Sequence, residues 1–341
     1  MRASVLTAPR RLAVAEVAVP EPLAGEVLVE VSRCGVCGTD LHMVLEGWGQ
    51  PGRTGGHEWS GRVAALGSGV EGFATGDLVV AGPLWCGQCR QCRAGRPSLC
   101  RQDSMLTGRG GADAFAEYAV TPAGTLHLVP VGLGEREAAL TEPLAVALHA
   151  VTRSGARSGD RVLVSGAGPL GLLVTAALVV QGCTDVTVSE PAEARRAQAL
   201  RVGAVVAVAP DGLPACPPAP MHTADGAFDV VLECSGNAAA MQAVPGLLAP
   251  GGTGVLVGTG ISRPSYDPNR LLLNELTLTG AYNYDATGFP DALALLAGGA
   301  LPVSELVHPD DVGLDDMGEA FARLRVGEIA RKLLVDPRRQ S

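Results

Sequence analysis

The stretch DRVLVSGAGPLGLLVTAALVVQGCTDVTVSE, Asp160 to Glu190, decides how this chain is read. Val162 to Thr184 carries no charge and is mostly apolar, so it imitates a membrane span. One proline and three glycines, GAGPLG at Gly166 to Gly171, interrupt the run and would break a spanning helix. The better parse is a strand, a tight turn, a helix and a second strand. The glycines spell G-x-G-x-x-G. Gly166 permits the turn, Gly168 lets a pyrophosphate approach the backbone, and Gly171 lets the helix pack on the strand, with Pro169 and Leu170 opening that helix. Glu190 ends the second strand about 20 positions on, where its carboxylate can accept hydrogen bonds from a ribose hydroxyl. A glycine-rich turn in an unrelated α/β protein is the competing reading, and the strand–turn–helix–strand context favours the dinucleotide. Glu190 would repel a 2′-phosphate, so NAD is expected over NADP. Arg195 and Arg196 lie further into the next helix and are expected to face solvent.

Outward from this stretch the pattern continues on the C-terminal side. EARRAQALRVGA reads as a helix, and FDVVLECSG and GGTGVLVGTG read as further strands, which makes a parallel α/β sheet. PACPPAPMHTADGA, Pro214 to Ala227, reads as a surface loop, and a helix FPDALALLAGG with a mixed tail follows Tyr284. On the N-terminal side EVLVEVSRCG, WSGRVAALGS, DLVVAGP, FAEYAV and TLHLVPV are short strands between glycine turns, the pattern of a β-rich, barrel-like domain. The 341 residues, 47% of them hydrophobic, are enough for about two domains with a sizeable core. The net charge is −9 and no basic run stands out, so neither nucleic acid nor a membrane surface is an expected partner. The N-terminus lacks a continuous apolar segment of the signal-peptide kind, and a cytoplasmic location is expected. Of the 26 basic residues only Lys332 is a lysine, which reads as the codon usage of a GC-rich genome.

In a reducing compartment clustered cysteines are more often metal ligands than disulfides. CGQCRQCRAGRPSLC carries Cys86, Cys89, Cys92 and Cys100 in the spacing C-x2-C-x2-C-x7-C. Bacterial ferredoxins begin alike but continue with x3-C-P, which Cys100 does not fit. A closed, four-thiolate structural zinc site is the expectation, with iron–sulfur its competitor. Such a site has no open position and stabilises a loop without performing chemistry. Upstream, CGVCGTDLH and GGHEWSG offer a thiolate, an imidazole and a carboxylate in Cys37, His57 and Glu58. A catalytic zinc needs three protein ligands and an open place for water or substrate.

GVCGTDLH, GHEWSG, the four-cysteine lobe, EPLAVALHA at Glu142 to Ala150, and GAGPLG occur in this order over nearly the whole chain. On these motifs the sequence resembles the zinc-dependent medium-chain alcohol dehydrogenases, most of all their sorbitol, threonine and polyol dehydrogenase branch. GHEWSG and EPLAVAL are also similar to aminocyclitol dehydrogenases. The resemblance implies an α/β protein: a GroES-like β-rich catalytic domain at 1–152 with its zinc lobe at about 86–100, a Rossmann doubly wound parallel sheet at 153–284, and a return to the catalytic domain at 285–341. The active site would lie in the cleft between the domains. It implies two zinc ions per chain, one catalytic and one structural, NAD as cofactor, and a homo-oligomer, dimer or tetramer. Cys37 and His57 would be ligands, Glu58 a ligand or close to one, and Glu142 would hold zinc directly or through water. Thr39 would hydrogen-bond the substrate hydroxyl, His42 would pass its proton to solvent, and Asp40 would orient His57. Cys34 reads instead as a strand-packing cysteine.

The implied reaction interconverts a secondary alcohol (a polyol, cyclitol, amino alcohol or aminocyclitol) and its ketone. Sorbitol dehydrogenases carry an Arg-Tyr pair near the substrate; the comparable stretch here is GAYNYD, with Asn283 in the arginine's place and Tyr284 kept. Losing that fixed cation would admit a protonated amine, although Asn283 could equally serve a strand end. Glu46 and Trp48 could add an acceptor and an apolar wall beside the substrate. The alternatives are an L-threonine 3-dehydrogenase-like activity, a zinc-independent quinone or enoyl reductase on the same fold, and a catalytically silent member of it.

Overall fold

A computed structural model describes residues 1–101 and 113–339. In chain order its strands are β1 (Arg2–Ala8), β2 (Arg11–Glu16), β3 (Glu26–Gly35), β4 (Glu58–Leu66), β5 (Leu78–Ala81), β6 (Tyr118–Pro122) and β7 (Leu126–Leu128). They continue with β8 (Arg161–Ser165), β9 (Asp185–Ser189), β10 (Val206–Val208), β11 (Phe228–Glu233), β12 (Leu248–Leu256), β13 (Thr277–Gly280) and β14 (Leu334–Val335). The chain forms two compact units. The first comprises Met1–Ala145, Asp285–Gly299 and the chain from Val307 on; the second comprises Val146–Tyr284 and Ala300–Leu306.

The second unit is built on a six-stranded sheet in the order β10-β9-β8-β11-β12-β13, every neighbouring pair parallel. Val162, Leu163 and Val164 of β8 have no exposed surface, as expected of a parallel strand covered on both faces. The sheet winds outward in one direction from β8 and in the other from β11. In such sheets the crevice at the carboxyl ends of the strands where the order reverses is the ligand site. The helix Pro169–Val180 follows β8 and buries eight of its residues, which accounts for an apolar run long enough to imitate a span. Among the described residues no helix is long and apolar enough to cross a membrane.

The first unit carries the antiparallel sheet β14-β3-β4-β5-β7, with β6 pairing the other stretch of β3. Its core gathers Val27, Val29 and Val31 of β3, Trp59 of β4, Phe115, and Met317, Phe321 and Leu324 of the helix Met317–Arg325. Those helical positions recur at i, i+4 and i+7, the stripe that seats a helix on a core. Truncating a buried aromatic such as Phe321, 1% exposed, would cost about 3–5 kcal/mol. Strand register also positions chemistry. Leu334 pairs with Gly35 and Gly35 with Glu58, so β14, β3 and β4 lie abreast at one point.

Pro214 to Ala227 is largely irregular, but it is not a loose loop. Arg270, buried, donates to the carbonyls of Pro217, Ala219 and His222, and Asn274 Nδ2 donates to the Pro220 carbonyl at 2.7 Å.

Candidate active site and metal centres

Helix α1 (Gly38–Leu45) begins at Cys37, its N-cap. The Cys37 N–H donates to Asp40 Oδ2 at 2.9 Å, which satisfies one of the donors a helix start leaves open. The turn before β4 is built from Gly55 and Gly56 at φ +75° and +86°; a Cβ on Gly56 would stand 2.8 Å from both Cys34 Sγ and Phe115 N. That glycine pair delivers His57 and Glu58 to Cys37. One ligand atom from each of Cys37, His57 and Glu58 lies within 4.8 Å of the others. Cys34 is fully buried in β3, and burial pushes its thiol well up, as suits a packing cysteine.

Burial opposes charge on His57, but the hydrogen bond and charge of Cys37, then Asp40 and Glu142, raise its proton affinity well above the ordinary value. Asp40 does not hydrogen-bond this ring as expected. Its Oδ1 stands 3.8 Å from His57 Nδ1, beyond hydrogen-bond reach, and its other oxygen is spent on the start of helix α1. Glu142 sits buried in the first turn of the helix Thr141–Ser154, and burial lifts its carboxyl to about 7.

The feature that sequence reasoning passed over is Lys332. Its Nζ donates to Glu58 Oε1 and Oε2 at 2.7 and 2.6 Å and to the Val36 carbonyl at 3.1 Å, with both side chains buried. The chain's sole lysine is therefore the counter-ion of a carboxylate in the candidate metal set. Burial works against its charge, while Glu58, then Cys37, hold its proton affinity above the ordinary value. Gly35 lies between the two: a Cβ there would overlap Glu58 Oε2 and stand 3.3 Å from Lys332 Cδ.

In the lobe, Cys86 Sγ lies 3.9 Å from Cys92 Sγ and 3.6 Å from Cys100 Sγ, and Cys89 Sγ lies 3.5 Å from Cys92 Sγ. Zinc–thiolate bonds of about 2.3 Å in a tetrahedron require sulfur separations of about 3.8 Å, so the four thiols fit one metal ion. The backbone N–H groups of Gln88 and Cys89 lower the Cys86 thiol to about 6, toward the thiolate form a metal needs. Ser98, through N–H and Oγ, and Arg96 hold Asp285, which ties the lobe to the segment leading into the helix Gly288–Ala297.

The three glycines of the turn in the second unit differ in the space around them, as their spacing leads one to expect. Gly166 sits at φ +98°, and a Cβ there would stand 2.9 Å from Ser235 Cβ. A Cβ on Gly171 would overlap the Gly166 carbonyl, whereas one on Gly168 would meet nothing within 4 Å. The helix that starts at Pro169 and Leu170 has no side-chain cap, so its first N–H groups are left for an anion. This cradle fits a dinucleotide pyrophosphate. Glu190, 4% exposed, lies at the end of β9 and accepts from Ala167 N–H at 2.9 Å and Ala192 N–H at 3.0 Å. It braces the turn, and a carboxylate has lone pairs to spare for a ribose. Arg195 and Arg196 are half-buried rather than facing solvent. Arg196 donates to the Glu190 and Pro191 carbonyls at 2.8 and 2.6 Å.

The residues expected near substrate divide. His42 Nδ1 lies 2.5 Å from Glu46 Oε2, and the rings of His42 and Trp48 stack at 4.8 Å and 21°. Thr39 Oγ1 lies 3.7 Å from Cys37 Sγ. Tyr284 is 1% exposed and belongs to the core. Asn283 adopts φ +50°, a region asparagine tolerates better than most residues, and its Nδ2 is buried without a hydrogen-bond partner. The backbone alone therefore gives a reason for asparagine over arginine at this position.

Residues 23–131 match the family described as the alcohol dehydrogenase GroES-like domain, and residues 169–298 match the family described as zinc-binding dehydrogenase. The 2-dehydro-3-deoxy-L-galactonate 5-dehydrogenase of Pseudoalteromonas atlantica is 37% identical over 92% of each chain. The L-threonine 3-dehydrogenase of Pyrococcus abyssi is 36% identical over 93% of this chain and 92% of that protein. Among solved structures, the 2R,3R-butanediol dehydrogenase of Bacillus subtilis superposes with a TM-score of 0.85 at 30% identity, covering 98% of this chain and 99% of that one. Similarity at this level, along the length that holds the thiolate lobe, the Cys37–His57–Glu58 set and the glycine cradle, places the chain in the zinc-dependent medium-chain alcohol dehydrogenase family.

Proposed function

We propose that the protein is an NAD-dependent oxidoreductase that interconverts a secondary alcohol flanked by polar groups and its ketone. The observation that carries this reading is the Cys37–His57–Glu58 set, with Cys37 half-buried at the head of helix α1, His57 and Glu58 buried, and Thr39 and His42 following on that helix. Two bound groups would supply the remaining chemistry, zinc held by Cys37, His57 and the acidic residues as a Lewis acid, and the nicotinamide as hydride acceptor. The chain's own part is to bind, orient and deprotonate. Thr39 Oγ receives the substrate's hydroxyl proton and passes its own on to His42, whose partly exposed side chain releases it to water. Lys332 neutralises Glu58, so the site does not gather three uncompensated carboxylates with Asp40 and Glu142. The four-cysteine lobe would hold the second, structural zinc.

The relatives support the substrate class. Their names place oxidation at C3 of threonine, in butanediol, and at C5 of a deoxy sugar acid. An L-threonine 3-dehydrogenase activity is the second reading, favoured by the Pyrococcus relative. A zinc-independent reductase would have no use for the Cys37–His57–Glu58 set. A cytoplasmic, homo-oligomeric enzyme accords with the family.

The test is kcat/KM over polyols, cyclitols, amino alcohols, threonine and ethanol, each with NAD and with NADP. The expected result is turnover of a polar secondary alcohol, with NAD preferred because Glu190 stands at the end of β9. Oxidation of ethanol alone would refute the substrate class, and equal use of both nucleotides would refute the NAD preference.

A further inference from the structure

We propose that Glu46 is a positioning residue for proton transfer: it holds the His42 imidazole as the Nδ1–H tautomer, which leaves Nε2 to receive the substrate proton. The proposal rests on the reading of Thr39 and His42 given above.

Helix α1 ends at Leu45, and Glu46 is its C-cap, donating its N–H to the His42 carbonyl at 3.2 Å. The chain turns there, and Glu46 Oε2 comes back to His42 Nδ1 at 2.5 Å. An ionised carboxylate only accepts, so the hydrogen between them belongs to the ring nitrogen. Trp48 N–H reaches the same His42 carbonyl at 3.4 Å, and its indole stacks on the imidazole at 4.8 Å and 21°. The ring is thus held along one edge and over one face. A neutral imidazole without such partners can carry its proton on either nitrogen; a carboxylate on one of them decides the question.

Ion pairs at i,i+4 near helix ends are common surface decoration. The His42–Glu46 pair differs in its placement. Thr39 precedes His42 by three residues, so the two share a helix face, and Thr39 Oγ1 touches Cys37 Sγ at 3.7 Å. The pair is also only partly exposed, 21% for the His42 side chain and 32% for that of Glu46.

The steps balance as proton movements with no change of oxidation state. Thr39 Oγ takes the substrate proton while its own hydrogen goes to His42 Nε2. The ring is then imidazolium, with Nδ1–H still on Glu46, whose charge offsets the new positive charge. Release of the Nε2 proton to water restores the starting tautomer. Glu46 thereby acts through His42 and need not touch substrate, the role in which the sequence cast it.

The experiment uses full-length, metal-loaded protein labelled with 15N-histidine, in four forms: wild type, Glu46→Ala, Glu46→Gln and His42→Ala. In wild type the His42 resonances should report the Nδ1–H tautomer. Glu46→Ala should populate the Nε2–H form and lower kcat for alcohol oxidation about tenfold, a fraction of what proton transfer contributes, with KM within about twofold. Glu46→Gln, whose amide oxygen still accepts from Nδ1–H, should restore the tautomer and most of kcat. A wild-type ring in the Nε2–H form, or a tautomer unaltered in Glu46→Ala, overturns the proposal. So does a rise in KM with kcat unchanged, which would make Glu46 a substrate contact. Undiminished turnover by His42→Ala would refute the proton path itself, and this is seen separately from Glu46's hold on the ring.

Discussion

Lys332 is the only lysine among 26 basic residues, and it lies against Glu58 rather than at the surface. Its rarity was visible in the sequence, but the partner was not, because 274 positions separate the two and only the β14–β3–β4 register joins them. Removing one member of a buried ion pair leaves the other charge unpaired, at about 3–5 kcal/mol. Lys332→Met should therefore destabilise the protein by that order in urea titration and release Glu58 to the metal set. Gly35→Ala should act on the same pair more weakly, since its Cβ would overlap Glu58 Oε2. Wild-type stability in Lys332→Met would refute the contribution argued for this pair. A second prediction concerns pH. Burial raises the Glu142 carboxyl from 4.5 to about 7, so between those values the folded state holds a proton that the unfolded state has lost. Stability from this group is present at low pH and is lost as pH rises to 7, on the order of 3 kcal/mol. His57, also raised, has the same sign: its contribution is full below its ordinary 6.5 and is lost as pH climbs through the folded value. Metal-free protein should accordingly be more stable at pH 5 than at pH 7.5, and zinc should reverse the order because its ligands bind deprotonated. Urea titrations at the two pH values, with and without chelator, check the sign, and Glu142→Gln should flatten the metal-free slope.

At the scale of elements, legibility followed the strength of local patterning. β3, β8, β9 and β11 were readable because β-branched runs end at glycine or polar turns. β10, β13 and β14 are three, four and two residues long, too short for any period to show. The β1–β2 hairpin was missed for another reason. Its turn is made at Pro9 and Arg10, with Arg10 at φ +66°, where the usual hairpin turn would display glycine or asparagine. The thiolate lobe stood out most clearly, since its spacing is its geometry: Cys86, Cys89 and Cys92 lie on one short loop and helix start, and Cys100 closes the set after the turn Pro97–Leu99. Cys92→Ser should lower the metal content from two zinc to one per chain and reduce Tm by at least about 5 °C, because a structural zinc contributes folding energy directly. The turnover of each remaining catalytic centre should stay within about threefold. Iron in the wild-type protein, or a Cys92→Ser variant still holding two zinc ions, would overturn the assignment of this lobe.

At the scale of the whole molecule, the candidate metal ligands and the candidate nucleotide cradle lie on different stretches of chain. Every residue of the two metal sets, and Lys332 with them, belongs to the first unit, whereas Gly166, Gly168, Gly171 and Glu190 belong to the second. Each unit also has its own sheet and its own core cluster. The cradle is held open by contacts internal to its unit: Gly171 against the Gly166 carbonyl, Gly166 against Ser235, and Glu190 on Ala167 and Ala192. None of these contacts involves a metal ligand. Removal of zinc should therefore abolish turnover and leave nucleotide binding standing. The expected outcome is an NADH Kd, followed by fluorescence in chelated protein or in Cys37→Ser, within about threefold of that of zinc-loaded enzyme, a difference below about 0.7 kcal/mol. Activity should fall to background in both. The reciprocal variant, Gly168→Val, should weaken NADH binding by filling the open space above the turn while two zinc ions are retained. Loss of NADH affinity on chelation would show instead that the metal helps to build the nucleotide site, and the independence argued from these contacts would then be wrong.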